Sequence, residues 1–276
     1  HHSPMLLRIV SWLFRNQSTS QTIAKNTVWL FIGQLGSRLF RAAIVIYAAR
    51  VLGAASYGAF SYALSIAAFL TIFSDIGINA LITKEASRDP ALKDQYVATA
   101  FFIKLGFLAL LVVGVIAFFP YLTNIPEAAA IMPILILVFA FDTLRDLGSA
   151  VSRALERMEI EALIGIGANF AIAVLGFWFL YASPTSSALS FAYAVGSGLG
   201  FLAIVAVLSK HFRVIFTHFR LTLIKPILMT AWPFGLLGLM GAIMLNTDLV
   251  MLGWLKSPEE VGYYSAAQKI IQLLYV

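Results

Sequence analysis

Residues 128–153, AAAIMPILILVFAFDTLRDLGSAVSR, combine an apolar run with three charges inside it, Asp142, Arg145 and Asp146, and a fourth, Arg153, at its end. The run is long enough to cross a bilayer, which takes about 20 helical residues. The three inner charges fall at i, i+3 and i+4, so on a helix they form one polar stripe and leave the remaining faces to apolar side chains. The rest of the chain is equally poor in charge. It has 276 residues, 61% hydrophobic and 12% charged, with a mean hydropathy of +0.89, whereas soluble domains carry about 25% charged residues. Apolar runs of helical length recur along it, and the period-two alternation of barrel strands does not. The expected class is all-α, a polytopic membrane helix bundle. The chain has no cysteine, which excludes disulfides and thiolate-held metals.

Eight spans are expected: 27–52, 57–81, 96–119, 128–153, 161–181, 187–208, 227–255 and one from Val261 onward. His1 to Pro4 read as the residue of a purification tag. Residues 5–24 read as a surface-lying amphipathic helix, MLLRIVSWLFR, and a polar hinge, NQSTSQ. Residues 25–208 then form a first six-helix lobe, 209–226 a basic loop, and 227–276 the start of a second lobe.

Lys and Arg are retained on the cytoplasmic side of a membrane. They cluster before span one (Arg8, Arg15, Lys25) and after span two (Lys84, Arg88, Lys93). They cluster again after span four (Arg153, Arg157) and after span six (Lys210, Arg213, Arg220, Lys225). The alternate connections hold Lys256, with Arg50 at the end of span one. The amino terminus is therefore expected in the cytoplasm. The net charge of +6 reads as an orientation signal whose partners are anionic membrane lipids, with no nucleic acid. After the outer turns that follow spans one and seven, Gly58-Ala-Phe-Ser-Tyr-Ala63 matches Gly262-Tyr-Tyr-Ser-Ala-Ala267 in pattern. This is a candidate parallel repeat of two six-helix halves, the second represented by its first two helices. The chain ends inside an apolar run, IIQLLYV, so about four or more further helices are expected beyond it.

Ionisable residues within the expected spans are Arg38, Arg41, Asp75, Lys104, Asp142, Arg145 and Asp146. Each costs about 2.5–3.5 kcal/mol against lipid, so they must face protein or water. Gln34, Arg38 and Arg41 share one helical face. Arg145 can be neutralised within its own helix by Asp142 or Asp146, and Lys104 can snorkel to the headgroups. Arg38 and Arg41 have no acid on their helix and favour an anion, from another helix or from a ligand. Asn79, Asn169 and Asn246 are polar neighbours at similar depth, and Asp248 lies further toward the outside.

No catalytic constellation competes with this. His211 and His218 sit in a basic loop without acidic neighbours, and there is no HExxH, GxSxG or P-loop. The glycines of GIG, residues 165–167, and GSGLG, residues 196–200, fall inside spans, where they allow close helix packing. No cofactor is called for.

Three stretches carry a family resemblance. LGAASYGAFSYALSIAAFLTIFSDIGINALITKEASRD, residues 52–89, RALERMEIEALIGIGANF, residues 153–170, and NTDLVMLGWLKSPEEVGYYSAAQKI, residues 246–270, resemble the corresponding segments of Wzx-type polysaccharide flippases. These form the polysaccharide branch of the multidrug/oligosaccharidyl-lipid/polysaccharide superfamily. The resemblance implies a MATE-like bundle of two lobes around a central cavity. It implies carriage of a lipid-linked oligosaccharide, such as an O-antigen unit, across the cell inner membrane, with a proton or sodium gradient as a driving force and the polysaccharide polymerase machinery as a partner. It places the polar stripes of spans one and four, with Lys104, on the cavity. On that basis Arg38, Arg41, Gln34, Lys104, Asn169 and Asn246 are the expected substrate contacts. Asp75, Asn79, Asp142, Arg145, Asp146 and Asp248 are the candidates for gating or ion coupling, Asp75 also as a stabiliser of the end of span two. The competing readings are a multidrug/cation antiporter, whose cavity should be acidic, a peptidoglycan-precursor flippase, and a membrane-embedded glycosyltransferase or polymerase, which needs long loops that the sequence lacks.

Overall fold

A computed structural model describes residues 18–88, 93–213 and 215–274, together with Phe14 and Asn16. Among the described residues all regular structure is helical. The helices are α1 Thr19–Asp75, α2 Ile78–Arg88, α3 Lys93–Leu122, α4 Pro126–Ala154, α5 Met158–Ala182, α6 Ser186–Val207, α7 Ser209–Arg213, α8 Ile224–Leu255 and α9 Pro258–Leu274. Six of them are long and apolar enough to cross a membrane. The expected surface helix over residues 5–15 lies outside the described residues apart from Phe14, whose ring packs on Trp29 at 5.3 Å.

The first two spans form one 57-residue element, α1. Ser18 starts it by accepting the Gln21 N–H on its hydroxyl, so α1 begins inside the segment expected as a hinge. Gly53 divides it, at φ 73° and ψ 172°, a backbone region open essentially to glycine. Arg41 and Val45 before it and Phe60 and Leu64 after it line one cavity, so the chain doubles back there. The expectation of an unbroken span to Leu81 is corrected at Ile76 and Gly77, with φ 43° and φ 78°. A Cβ on Gly77 would lie 2.4 Å from the carbonyl oxygen of Ala231 on α8. The close approach of α8 thus requires glycine, and its left-handed backbone ends the helix.

Two apolar cores result. One joins Ile44, Tyr57, Phe60, Leu135, Ile172 and Leu249 around the Gly53 end. The other joins Ile78, Leu81, Leu147, Ile160, Ile204 and Ile227 at the opposite end. The polar residues of α1, α4 and α5 occupy the level between them. Large apolar side chains such as Leu110, Phe118, Leu202 and Met244 are exposed on the outside, the face a bilayer would cover. Inside, small residues set the helix spacing: a Cβ on Gly33 of α1 would stand 2.8 Å from Ala162 of α5, and one on Gly196 of α6 would stand 2.9 Å from the Ile172 backbone nitrogen.

Charged and polar clasps tie the ends of α1, α4, α5 and α6. Lys25 of α1 donates to Glu159 of α5 at 3.2 Å, with side chains 1% and 4% exposed. The same ammonium donates to Asn16 and to the Glu156 carbonyl, which holds the α4–α5 corner where Glu156 has φ 56°. At the Gly53 end, Glu127 of α4 accepts from Ser56 of α1 and Ser186 of α6.

The two copies of the sequence repeat meet in space. A Cβ on Gly58 would fall 1.9 Å from the Pro258 carbonyl oxygen, and one on Gly262 would fall 2.0 Å from the Ala54 carbonyl oxygen. Ala54 and Pro258 each lie four residues before the glycine of their own motif. The contact is therefore reciprocal, as between surfaces related by a twofold axis. α9 itself starts with a capping box, in which Ser257 accepts the Glu260 N–H and Glu260 accepts the Ser257 N–H.

The buried Lys25–Glu159 pair makes a stability prediction. Glu159→Gln strands a buried ammonium and should destabilise the protein by about 3–5 kcal/mol. The double replacement Lys25→Met with Glu159→Leu should recover most of that loss in unfolding measured in detergent. Equal destabilisation of the single and double variants would show that the two charges are not coupled.

Candidate functional site

Between the two cores, α1, α4 and α5 enclose a polar cleft of about 290 Å³. α1 contributes Gly33, Gln34, Ser37, Arg38 and Arg41, which follow one another along a single helical face. From α4 come Arg145, Asp146 and Ser149, and from α5 Glu161, Gly165 and Asn169. A smaller cavity of about 90 Å³ continues toward the Gly53 end, lined by Arg41, Asp142, Arg145 and Asn169 together with Tyr57, Ser61 and Tyr193. Arg41, Arg145 and Asn169 line both, so the two spaces share a wall at the depth of Arg41.

The charges are distributed unevenly over this wall. Arg145 pairs with Asp142 at 2.8 Å and with Asp146 at 3.7 Å, so α4 neutralises its own arginine as its i, i+3 and i+4 spacing implied. Glu161 is engaged by Arg153, whose Nε donates to it at 2.7 Å. On α1 the partner is neutral: Arg41 Nε donates 3.2 Å to the side-chain oxygen of Asn169. Asn169, itself 5% exposed, donates to the Gly165 carbonyl at 2.9 Å, which fixes its oxygen toward the arginine. The expectation that Arg41 stands alone is thus corrected, although it keeps its full charge against an amide. Three arginines line the larger cleft against two carboxylates, Asp146 and Glu161. In a low-dielectric surround, such a wall favours a compact polyanion that can accept several guanidinium hydrogen bonds at once.

Other expected site residues lie elsewhere. Lys104 is fully buried and donates to Asp75 at 2.6 Å and to Asn79 at 2.8 Å. It clamps the break after α1 and does not line the cleft. Asn246 donates to the Ala242 carbonyl within α8, a hydrogen bond of its own helix, and does not line the cleft. Asp248 accepts from Tyr264 and from Gln268, the latter at 2.7 Å, linking α8 to α9. Ser37, Glu161 and Tyr193 were not anticipated. Ser37 falls on the Gln34–Arg41 stripe and was readable from spacing. Glu161 stood at an expected helix boundary, and nothing local marks Tyr193.

No curated protein and no solved structure matches the chain. Residues 23–276 match the family described as polysaccharide biosynthesis protein. A multi-pass helical membrane bundle fits a transporter, and over nearly its whole length the chain belongs to the polysaccharide biosynthesis protein family, the family of Wzx-type polysaccharide flippases.

Proposed function

We propose that the protein carries a polyprenyl-diphosphate-linked oligosaccharide from the inner to the outer leaflet of the cytoplasmic membrane by alternating access, with its amino terminus in the cytoplasm. The observation that carries this reading is the cleft in which Arg38 and Arg41 line the wall, with the Asn169 amide oxygen accepting from Arg41. A diphosphate offers several charged acceptor oxygens to the guanidinium forks and can displace the amide without breaking an ion pair. Asp142 and Asp146, which hold Arg145, are the groups whose protonation or ion binding would release a third cation to the same ligand. An acidic cavity suited to organic cations is not what these side chains make. The Lys and Arg distribution supports the orientation, and the family supports a polysaccharide unit as cargo.

Removing either arginine should weaken binding of the diphosphate-linked lipid about 10- to 100-fold, the scale of hydrogen bonds to charged groups. Arg41→Lys should recover part of the loss, because it keeps the charge and loses the fork. Binding and flipping in proteoliposomes measure both. Unchanged transport in the Arg38→Ala, Arg41→Ala double variant would remove the cleft from the mechanism.

In a cycle that opens the cleft alternately to the two sides, the reciprocal contact of Gly58 with Pro258 and of Gly262 with Ala54 must part. Gly58→Ala inserts a methyl where 1.9 Å is available, so it should favour the parted conformation. A cysteine placed at Tyr57 in the otherwise cysteine-free chain should then react faster with an impermeant maleimide added outside. An unchanged rate would show that this contact does not move.

A further inference from the structure

At the amino-terminal end of the bundle lies a separate cavity of about 580 Å³, within the size range of ligand sites. The start of α1 lines it with Ser18, Thr19, Thr22, Asn26 and Thr27, and α2 adds Thr83. Its far wall is the α4–α5 corner, with Arg153, Glu156 and Met158. Asn26 is 7% exposed, and its side-chain oxygen has no hydrogen-bond partner. Buried polar atoms are nearly always satisfied in folded proteins, so an orphaned acceptor lining a cavity points to a donor that arrives with a ligand.

The chemistry of the lining narrows that ligand. The Thr27 and Thr83 hydroxyls give their protons to the Ile23 and Asn79 carbonyls and keep their lone pairs, and with the Asn26 side-chain oxygen they offer acceptors to a polyol, whose hydroxyls donate. The cavity's charged groups, Arg153 and Glu156, are of opposite sign, and Arg153 is already held by Glu161. An anionic headgroup would find no ready cation among these lining groups. The location narrows it further. Arg153 lines this cavity while its partner Glu161 lines the cationic cleft, so one ion pair forms the partition between them. Along α1, Asn26 lies roughly 18 Å from Arg38 at 1.5 Å per residue.

We infer that this vestibule binds the sugars of the cargo while its diphosphate rests on the arginines of the cleft. The inference rests on the flippase reading given above and adds a glycan subsite to it, in which Asn26 accepts a sugar hydroxyl and Thr22, Thr27 and Thr83 surround the ring. The Arg153–Glu161 pair then sits where the first sugar joins the diphosphate.

The test compares two probes on the full chain in proteoliposomes: polyprenyl diphosphate, and the same lipid bearing a disaccharide. Asn26→Leu should weaken the disaccharide-bearing probe about tenfold and leave the bare diphosphate within about twofold. Thr83→Val, which removes a hydroxyl contributed by α2 at nearly constant shape, should act in the same direction and guards against a folding defect at Asn26. Arg41→Ala should weaken both probes. Equal effects of Asn26→Leu on the two probes, or no effect on either, would overturn the glycan subsite. So would a wild-type protein that gains nothing from the disaccharide, or variants that change only the co-purified phospholipid. Failure of the bare diphosphate to bind the wild type would count instead against the cleft reading, while a retained response to the disaccharide would keep the subsite.

Discussion

A charge inside a bilayer must find a partner or an aqueous space, and the arrangement of this protein follows from where its charges find them. Lys104 reaches Asp75 and Asn79, Lys25 reaches Glu159, and Arg153 reaches Glu161. Each of these joins segments distant along the chain or on different helices, and each fixes one helix against another. Because breaking a buried pair strands an uncompensated charge, such contacts specify a particular packing more strongly than they stabilise it. The apolar cores then fill the levels above and below, and Arg38 and Arg41 of α1 line the cleft between them.

That division explains what the sequence could and could not disclose. Spans, their polarity stripes and the i, i+3, i+4 neutralisation of Arg145 are properties of one helix at a time, and periodicity carries them. The partner of Lys104 is not such a property. Asp75 lies 29 residues away, and the pairing depends on the break at Ile76 and Gly77, which in turn exists because α8 approaches Gly77 too closely for a side chain. The same holds for Asn169, whose oxygen is aimed at Arg41 by its own hydrogen bond to Gly165. The stripe on α1 predicted a polar wall. It did not predict that an amide from α5 would occupy the arginine in advance.

An amide is a suitable occupant for that place. A carboxylate opposite Arg41 would compete with any anionic ligand at full charge, and its displacement would leave two desolvated groups to rearrange. Asn169 takes one hydrogen bond from the guanidinium without cancelling its charge, so in the proposed function a phosphate would gain the whole electrostatic interaction with Arg41 and displace a weaker, neutral bond. On α4 the opposite choice is made: Asp142 and Asp146 hold Arg145. Its availability to a ligand therefore depends on the state of two carboxylates. In the proposed function Arg41 would attract an anion throughout the cycle, and Arg145 on the facing wall only when its carboxylates let it go.

The joints of the bundle divide in the same manner. Among α1, α4, α5 and α6, the clasps at Lys25 and Glu127 bind helix ends through charge and hydrogen bonds, which tolerate little sliding. Where α1 and α2 meet α8 and α9, the close contacts are glycine against backbone or ring: Gly58 on Pro258, Gly77 on Ala231, and Gly253 on Tyr62. Contacts of this kind depend on shape, and in a membrane they separate into lipid or water without stranding a charge. A body held rigid by ion pairs and hinged on glycines can rock as a unit. In the proposed cycle, the vestibule, the partition at Arg153–Glu161 and the arginine wall would then move together, and bound cargo would travel with the lobe rather than through it.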